Sequence, residues 1–429
     1  MEKQDKIKPS TWAVMLMTGL VGQLCWNIEN QWFNTFVYAK IAPDPNIISW
    51  MVAATAVTQV ISTVFFGTLS DRMGKRKFNI VWGYFIWGIT IILFGTTQFL
   101  SGNKALGATA VIAADCLMTV FGCMGYDAGF NPWTTDISAK TKRGAIGAMC
   151  ALLPVVATIL GSLIFGNIIE KIDYMLFFTA IGISVILLSL LMMITVKDSE
   201  ELKAVADPGG FWRQFGKFFN FGVLKENPQL KWVLIVFSTY FIGFQMYFSH
   251  LTNYLIYSLG NPTGKAGVIF GVSLIFATPA TIIGAKMIDK KKYYPMMYFS
   301  VAATVIGLVC AGVSKKFIPT VIGLFGIGVG YMSIFQTLMV LLKNLYPRGA
   351  KGQYEGLRCV FYVCIPMCIG TPIGSAIINS TGVEMVNEYG VAGHAANNNI
   401  FLWAAAWIAL TIIPIYFADR SQRAEGEMP

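Results

Sequence analysis

Long apolar runs separated by short polar breaks dominate the chain. Twelve runs stand out. The first six lie at 11–39, 46–69, 78–100, 105–134, 144–166 and 174–196. The other six lie at 232–258, 265–286, 294–313, 318–342, 356–378 and 398–418. About 20 consecutive apolar residues cross a bilayer as a helix, so the pattern predicts an all-α membrane protein with twelve transmembrane helices. The longest polar connection falls between the sixth and seventh runs. The expected domains are therefore an N-terminal six-helix bundle over 1–196, a cytoplasmic linker over 197–229 and a C-terminal six-helix bundle over 230–429. Inside the linker, FWRQFGKFF from Phe211 is amphipathic and suited to lie along a membrane surface.

Composition agrees with this pattern. Of 429 residues, 55% are hydrophobic and 13% charged, against about 25% charged in soluble domains. The formal charge of +10 does not point to nucleic acid, because the basic residues follow membrane topology rather than one face of a soluble module. With the N-terminus inside, the cytoplasmic segments hold 26 Lys and Arg. Lys40, Lys104, Lys171, Lys265, Lys315 and Lys316 are the six outside, which accounts for all 32. Both termini are thus expected in the cytoplasm, and a multi-pass protein of the cytoplasmic membrane follows. The basic start, MEKQDKIKPS, leads into a run too long for a signal-peptide core, so it reads as an uncleaved first span.

No enzyme chemistry is expected. The eight cysteines lie in or beside apolar runs without a C-x-x-C pair. Cys364 and Cys368 share a helix face and read as small packing residues. No G-x-S-x-G and no metal-ligand cluster occurs, so neither a cofactor nor a metal is predicted. GIGVG at 326–330 lies mid-span with no strand before it, which favours close helix packing over a nucleotide loop. GNPTGKAG from Gly260 lacks the spacing of a phosphate-binding loop.

Intramembrane acids are the candidates for chemistry. Glu29, Asp115 and Asp127 lie well inside apolar runs, where an ionisable group costs about 2.5–3.5 kcal/mol and normally faces a cavity or a partner. Glu29 sits in the most polar stretch of any span, WNIENQWFN from Trp26. Asn27, Asn30 and Asn34 recur there at helical spacing, and a face of that kind cannot point at lipid. It predicts cavity lining, with Trp26 or Trp32 as a flat face for a sugar ring. The competing reading is polar contact between helices. Asp127 and Asn131 share a helix face and could bracket a hydroxyl or a proton. Asp115 reads equally as a proton relay and as a structural partner. In the seventh run, Gln245, Tyr247, His250, Asn253 and Tyr254 form a polar patch, and His250 reads more readily as a hydrogen-bonding side chain than as a proton carrier. Gln336 and Tyr362 are weaker candidates.

The densest charge lies between the second and third runs, where Gly67 to Lys77 reads GTLSDRMGKRK; from Gly284 the other half carries GAKMIDKKK, with Asp289 as its acid. Gly67-x-Leu69-Ser70-Asp71-Arg72-x-Gly74-Lys75-Arg76-Lys77 resembles the signature loop of the major facilitator superfamily. That resemblance implies two six-helix bundles around a central cavity and alternating access. Trp26-x-x-Glu29-Asn30, the segment from Asp127 to Trp133, and Lys140-x-Lys142-Arg143-Gly144 resemble the glycoside–cation and sucrose-type proton symporters. In those families the span-4 acid is implicated in sugar or proton binding, which makes Asp127 the implied coupling residue. Span 2 has no acid before Asp71, unlike the melibiose-type sodium symporters, so protons, or no coupling at all, are favoured over sodium.

The loop itself reads as a gate. Gly67 is expected to allow close helix approach and Gly74 to supply turn freedom. Asp71 is expected at a helix N-terminus near Arg358, and Arg72 is expected to pair with Asp136. The function expected is therefore symport of a small molecule, a sugar or glycoside, by a monomer in the bilayer. Proton-driven export of drugs or amphiphiles is the alternative, and a non-transporting receptor is the third reading.

Overall fold

The computed structural model describes residues 9–137, 143–199, 202, 204, 210–219, 221–313, 316–345 and 356–426. Among them, ten helices are long and apolar enough to cross a membrane. The chain divides into two compact units. One comprises Met1–Ala42 and Val57–Gly216, the other Pro43–Ala56 and Lys217–Pro429. The second long helix therefore starts in one unit and ends in the other.

Six long helical stretches contribute to the first unit, the second of them from Val57 onward. They are α1 (9–41), α2 (Pro45–Met73), α3 (Lys77–Leu100), α4 (Lys104–Asp136), α5 (Arg143–Ile172) and α6 (Tyr174–Thr195). Apolar side chains that face outward, such as Phe99 and Ile194, are more than 70% exposed, as lipid contact requires. Small residues let the backbones meet where the helices cross. A Cβ on Gly83 of α3 would overlap the Gly125 backbone of α4, so only glycine permits that approach. The amphipathic piece of the linker forms a helix, Phe211–Lys217. Its Phe211 ring packs edge-on against Phe65 of α2 at 5.2 Å, while Trp212 stays 72% exposed.

The second unit holds α7 (Pro228–Ser258), α8 (Thr263–Ala277), α9 (Pro279–Asp289), α10 (Tyr293–Val313), α11 (Phe317–Leu345), α12 (Gly356–Thr381) and α13 (Asn399–Arg423). Helix α7 is its axis. Val233, Phe237 and Tyr240 are fully buried there, and Tyr240 Oη lies 2.8 Å from Thr304 Oγ1 of α10. The GIGVG glycines pack α11 onto α10, since a Cβ on Gly326 would lie 3.1 Å from Gly307 Cα and one on Gly330 would overlap Thr304.

Two expectations need correction, and one element is new. The run at 265–286 is not one helix, because Pro279 lacks an N–H and its ring clashes with the carbonyl four residues earlier, which starts a new helix at α9. After α12, Val383–Val386 and Ala392–Ala395 pair as an antiparallel hairpin with Glu384 opposite His394. Gly67 does not serve close approach, for a Cβ there would meet nothing within 4 Å. Gly74 does adopt φ 61°, the left-handed turn conformation that favours glycine.

Candidate functional site

Glu29 and Asp127 share a backbone feature. Each lies in a π-helical stretch inside an otherwise α-helical span, Ile28–Phe33 in α1 and Cys123–Phe130 in α4. A π stretch carries an extra residue per turn, displaces side chains from the α-helical stripe and frees carbonyls; such insertions concentrate at functional sites. In α1 the asparagines take up the freed groups. Asn30 Nδ2 donates to the Trp26 carbonyl at 2.7 Å and Asn34 Nδ2 to the Asn30 carbonyl at 3.0 Å. Two of the three stripe asparagines thus bond the backbone of their own helix. Asn34 is buried, and so is Trp32, which leaves half-buried Trp26 as the aromatic of this stretch with an open face. Its other side packs on Trp87 at 5.1 Å.

Gln31 is a residue the polar pattern hides. Its Oε1 accepts from Ser162 Oγ of α5 at 2.8 Å and from Asn27 Nδ2 at 3.4 Å. That buried set is the helix-to-helix polar contact that competes with cavity lining, and it holds α1 to α5.

The carboxyl groups of Glu29 and Asp127 meet threonines. The Thr119 hydroxyl donates to the Asp115 carbonyl one turn earlier at 2.9 Å, and it also stands 3.3 Å from Glu29 Oε1. Glu29 Oε2 and Asp115 Oδ1 are buried atoms with no hydrogen-bond partner among the described residues. Asp115 is 1% exposed. An unpartnered buried carboxyl oxygen is costly, so each of these groups has unused acceptor capacity among the described residues. Half-buried Asp127 accepts from Thr63 of α2 at 3.5 Å, the long end of the range. Asn131 is exposed, one turn beyond it. Thr119 lies four residues after Asp115, a spacing visible in the sequence; Thr63 came from a different helix and carried no such mark.

In the second unit, His250 is fully buried on α7, with Nε2 at 3.4 Å from Ser375 Oγ of α12. Ser375 gives its single hydrogen to the Pro45 carbonyl at 2.7 Å, so Nε2–H is the donor in the histidine contact. Gln245 accepts from Ser249 at 3.4 Å, and Asn253 is buried. Tyr331, Phe335 and Tyr362 are half-buried and form an aromatic wall with Phe241 and Phe244. Gln336 of α11 is half-buried, with its Oε1 unpartnered among the described residues, and Arg358 lies 5.7 Å over the Tyr362 ring.

The signature loop is organised by Arg76, which the pattern did not single out. This buried guanidinium meets Asp71 Oδ1 at 2.6 Å, Asp136 Oδ2 at 2.9 Å and Ser70 Oγ at 2.9 Å. Burial alone would lower the Arg76 pKa, but the hydrogen bond to Asp136 and the charge of Asp71 outweigh it and raise the value. Arg72 lies over the Phe211 ring at 5.8 Å. Asp198 Oδ1 accepts from the backbone N–H groups of Arg76 and Lys77, both at 2.8 Å. It caps the start of α3, where the helix dipole favours an anion. Lys140 and Lys142 lie outside the described residues, as do the side chains of Arg143 and Asp289. At the other end of the unit, Lys40 Nζ meets Asp173 Oδ1 at 2.9 Å.

Comparison with known proteins agrees with this architecture. The model of the Major Facilitator Superfamily matches residues 15–371. Crystal structures with the same fold include the nucleoside transporter NupG, 10% identical with a TM-score of 0.76, covering 95% of this chain and 99% of that one. A D-xylose–proton symporter is 12% identical with a TM-score of 0.72, covering 95% and 96%. A bacterial homologue of the human lysosomal transporter Spinster is 14% identical with a TM-score of 0.64, covering 97% and 98%. No curated protein sequence matches the chain significantly. With the family model spanning most of its length and helices of membrane-crossing length throughout, this chain belongs to the Major Facilitator Superfamily of transporters.

Proposed function

We propose that this protein is a proton-coupled secondary transporter of a hydroxyl-rich small molecule: a sugar, a glycoside or, as in one structural neighbour, a nucleoside. In this reading twelve spans in the cytoplasmic membrane, both termini inside, work as a monomer by alternating access. The observation that carries it is the placement of Glu29 and Asp127 on π-helical stretches of one unit, with the Glu29 carboxyl beside the Thr119 hydroxyl. Polar groups are retained in an apolar span where they face a pathway. Trp26 offers a flat face to a sugar ring, and Asp127 with Asn131 binds the ligand or the coupling proton. The Asp71–Arg76–Asp136 network gates the cytoplasmic side. Asp127→Asn should abolish uphill uptake while leaving the protein folded and inserted. Undiminished accumulation by that variant would remove the coupling role.

The aromatic wall of Tyr331, Phe335 and Tyr362 favours a second reading, export of an amphiphile, because aromatic linings suit apolar ligands. A ligand panel separates the two. Thermal stabilisation by saccharides or nucleosides supports import of a hydroxylated substrate, and stabilisation by lipophilic cations alone supports the exporter.

A further inference from the structure

At the start of α7 an open groove is lined by Leu224, Trp232 and Ile235, with Phe361 of α12 closing one side and Lys225 and Lys231 flanking it. Both lysines are exposed, and Lys231 Nζ lies 5.4 Å from the Trp232 ring. The Trp232 indole stacks on Phe417 of α13 at 4.7 Å, which fixes it as a flat wall. Phe361 is held in place because its carbonyl, within the π stretch Val360–Cys364, accepts from Ser238 at 2.8 Å. Next to it Phe221 leaves its ring 46% exposed, 6.5 Å from Phe361.

The level of this groove in the membrane follows from its neighbours. Gln229 at the start of α7 bonds Tyr294 at the start of α10 and Gln422 near the end of α13, and Tyr294 Oη donates to the Ala418 carbonyl. These helix ends therefore lie together. The same end carries Lys290, Lys291, Lys292, Arg420 and Arg423 in sequence positions just outside the apolar spans. The groove thus sits where apolar helix surface gives way to a basic rim.

We propose that this groove is a binding site for one anionic phospholipid of the surrounding bilayer. Its acyl chains lie along Ile235, Trp232 and Phe361, and its phosphate is held by Lys225 and Lys231. Charge complementarity selects this occupant: two cations flank an otherwise apolar surface, and a zwitterionic lipid would bring an ammonium against them. Basic pockets between transmembrane helices recognise anionic headgroups in this way.

Native mass spectrometry of the full chain in detergent, with dioleoylphosphatidylglycerol or dioleoylphosphatidylcholine added, tests the proposal. A single phosphatidylglycerol adduct should persist where phosphatidylcholine does not. The Lys225→Gln/Lys231→Gln double variant should weaken that adduct by roughly thirtyfold. Lys292→Gln, which removes a charge from the same end but not from the groove, should leave it in place. Chain-free glycerophosphoglycerol should not compete, because the apolar wall contributes to binding. Equal adducts with both lipids, an unchanged double variant, loss in Lys292→Gln to the same degree, or full competition by the chain-free headgroup would each overturn the proposal. Thermal unfolding of every variant confirms that a lost adduct does not reflect a lost fold.

Discussion

Arg76 holds Asp136 through Nε at 2.9 Å, joining the end of α4 to the turn before α3. The guanidinium is buried, while the Asp71 side chain that it also meets is 38% exposed. Removing one partner of a fully buried pair costs about 3–5 kcal/mol, and the exposure of Asp71 reduces that figure. Arg76→Gln should therefore cost about 2–3 kcal/mol, read as a lowered midpoint of thermal unfolding in detergent. Lysine should not restore it, since one ammonium cannot meet Asp71, Asp136 and Ser70 with the geometry of a planar fork. Full rescue by lysine would show that charge alone holds the loop.

Asp198 caps the start of α3 from far along the chain. Asp198→Ala should cost about 1 kcal/mol, the usual worth of such a cap. Hydrogen exchange should rise at the first turn of α3 and nowhere else in the helix. Unchanged exchange at Arg76 and Lys77 would count against the capping role.

Asp173 gives a pH dependence with a definite sign. Partial burial pushes its carboxyl upward, but the hydrogen bond and charge of Lys40 prevail and hold it below the ordinary value. A depressed carboxyl contributes stability that is present above the unfolded value, about 3.9, and is lost as pH falls through the native one. Thermal midpoints measured from pH 7 down to pH 3 should show a shallower acid decline in Asp173→Asn than in the unmodified chain. Parallel curves would assign the decline to other carboxyls.

Thr119→Val keeps shape and removes one hydroxyl. Because the Asp115 carbonyl stays bonded within its helix, the loss should be about that of one hydrogen bond, about 0.5–1.5 kcal/mol. If Thr119 orients Glu29 for coupling, the pH profile of uptake should move while the protein remains folded. An unshifted profile would make the contact structural only.

Gly83 makes the strongest packing prediction. Any side chain there meets the backbone of Gly125 rather than a side chain able to move. Gly83→Ala should destabilise by about 1–3 kcal/mol, while Gly67→Ala, where there is open space, should be near neutral by the same unfolding assay.

Period and hydropathy made most of the helices legible, because lipid forces nearly every outward position to be apolar. What stayed hidden depended on contacts distant in sequence or on one extra residue within a helix. Hydropathy treats 265–286 as continuous although Pro279 ends one helix and begins another. The Asn27, Asn30 and Asn34 spacing was visible, but α-helical spacing implied one shared face. The π stretch redirected those side chains, two of them onto backbone carbonyls and Asn27 toward Gln31. The loop residues were conspicuous by charge, yet nothing local distinguished Arg76 from its basic neighbours; Asp136 and Asp198 do so, and both lie more than fifty positions away.

The π stretch at Ile28–Phe33 also bears on how such a helix can be altered. A π turn holds one residue more than the α turn it replaces, so it can be undone by a single deletion without breaking the helix. Losing one residue there would rotate everything beyond it by about 100°, one α-helical step. Gln31 would swing away from Ser162, and Lys40 from Asp173. Substitutions in α1 change one side chain at a time, whereas this insertion sets the azimuth of everything in the helix after it.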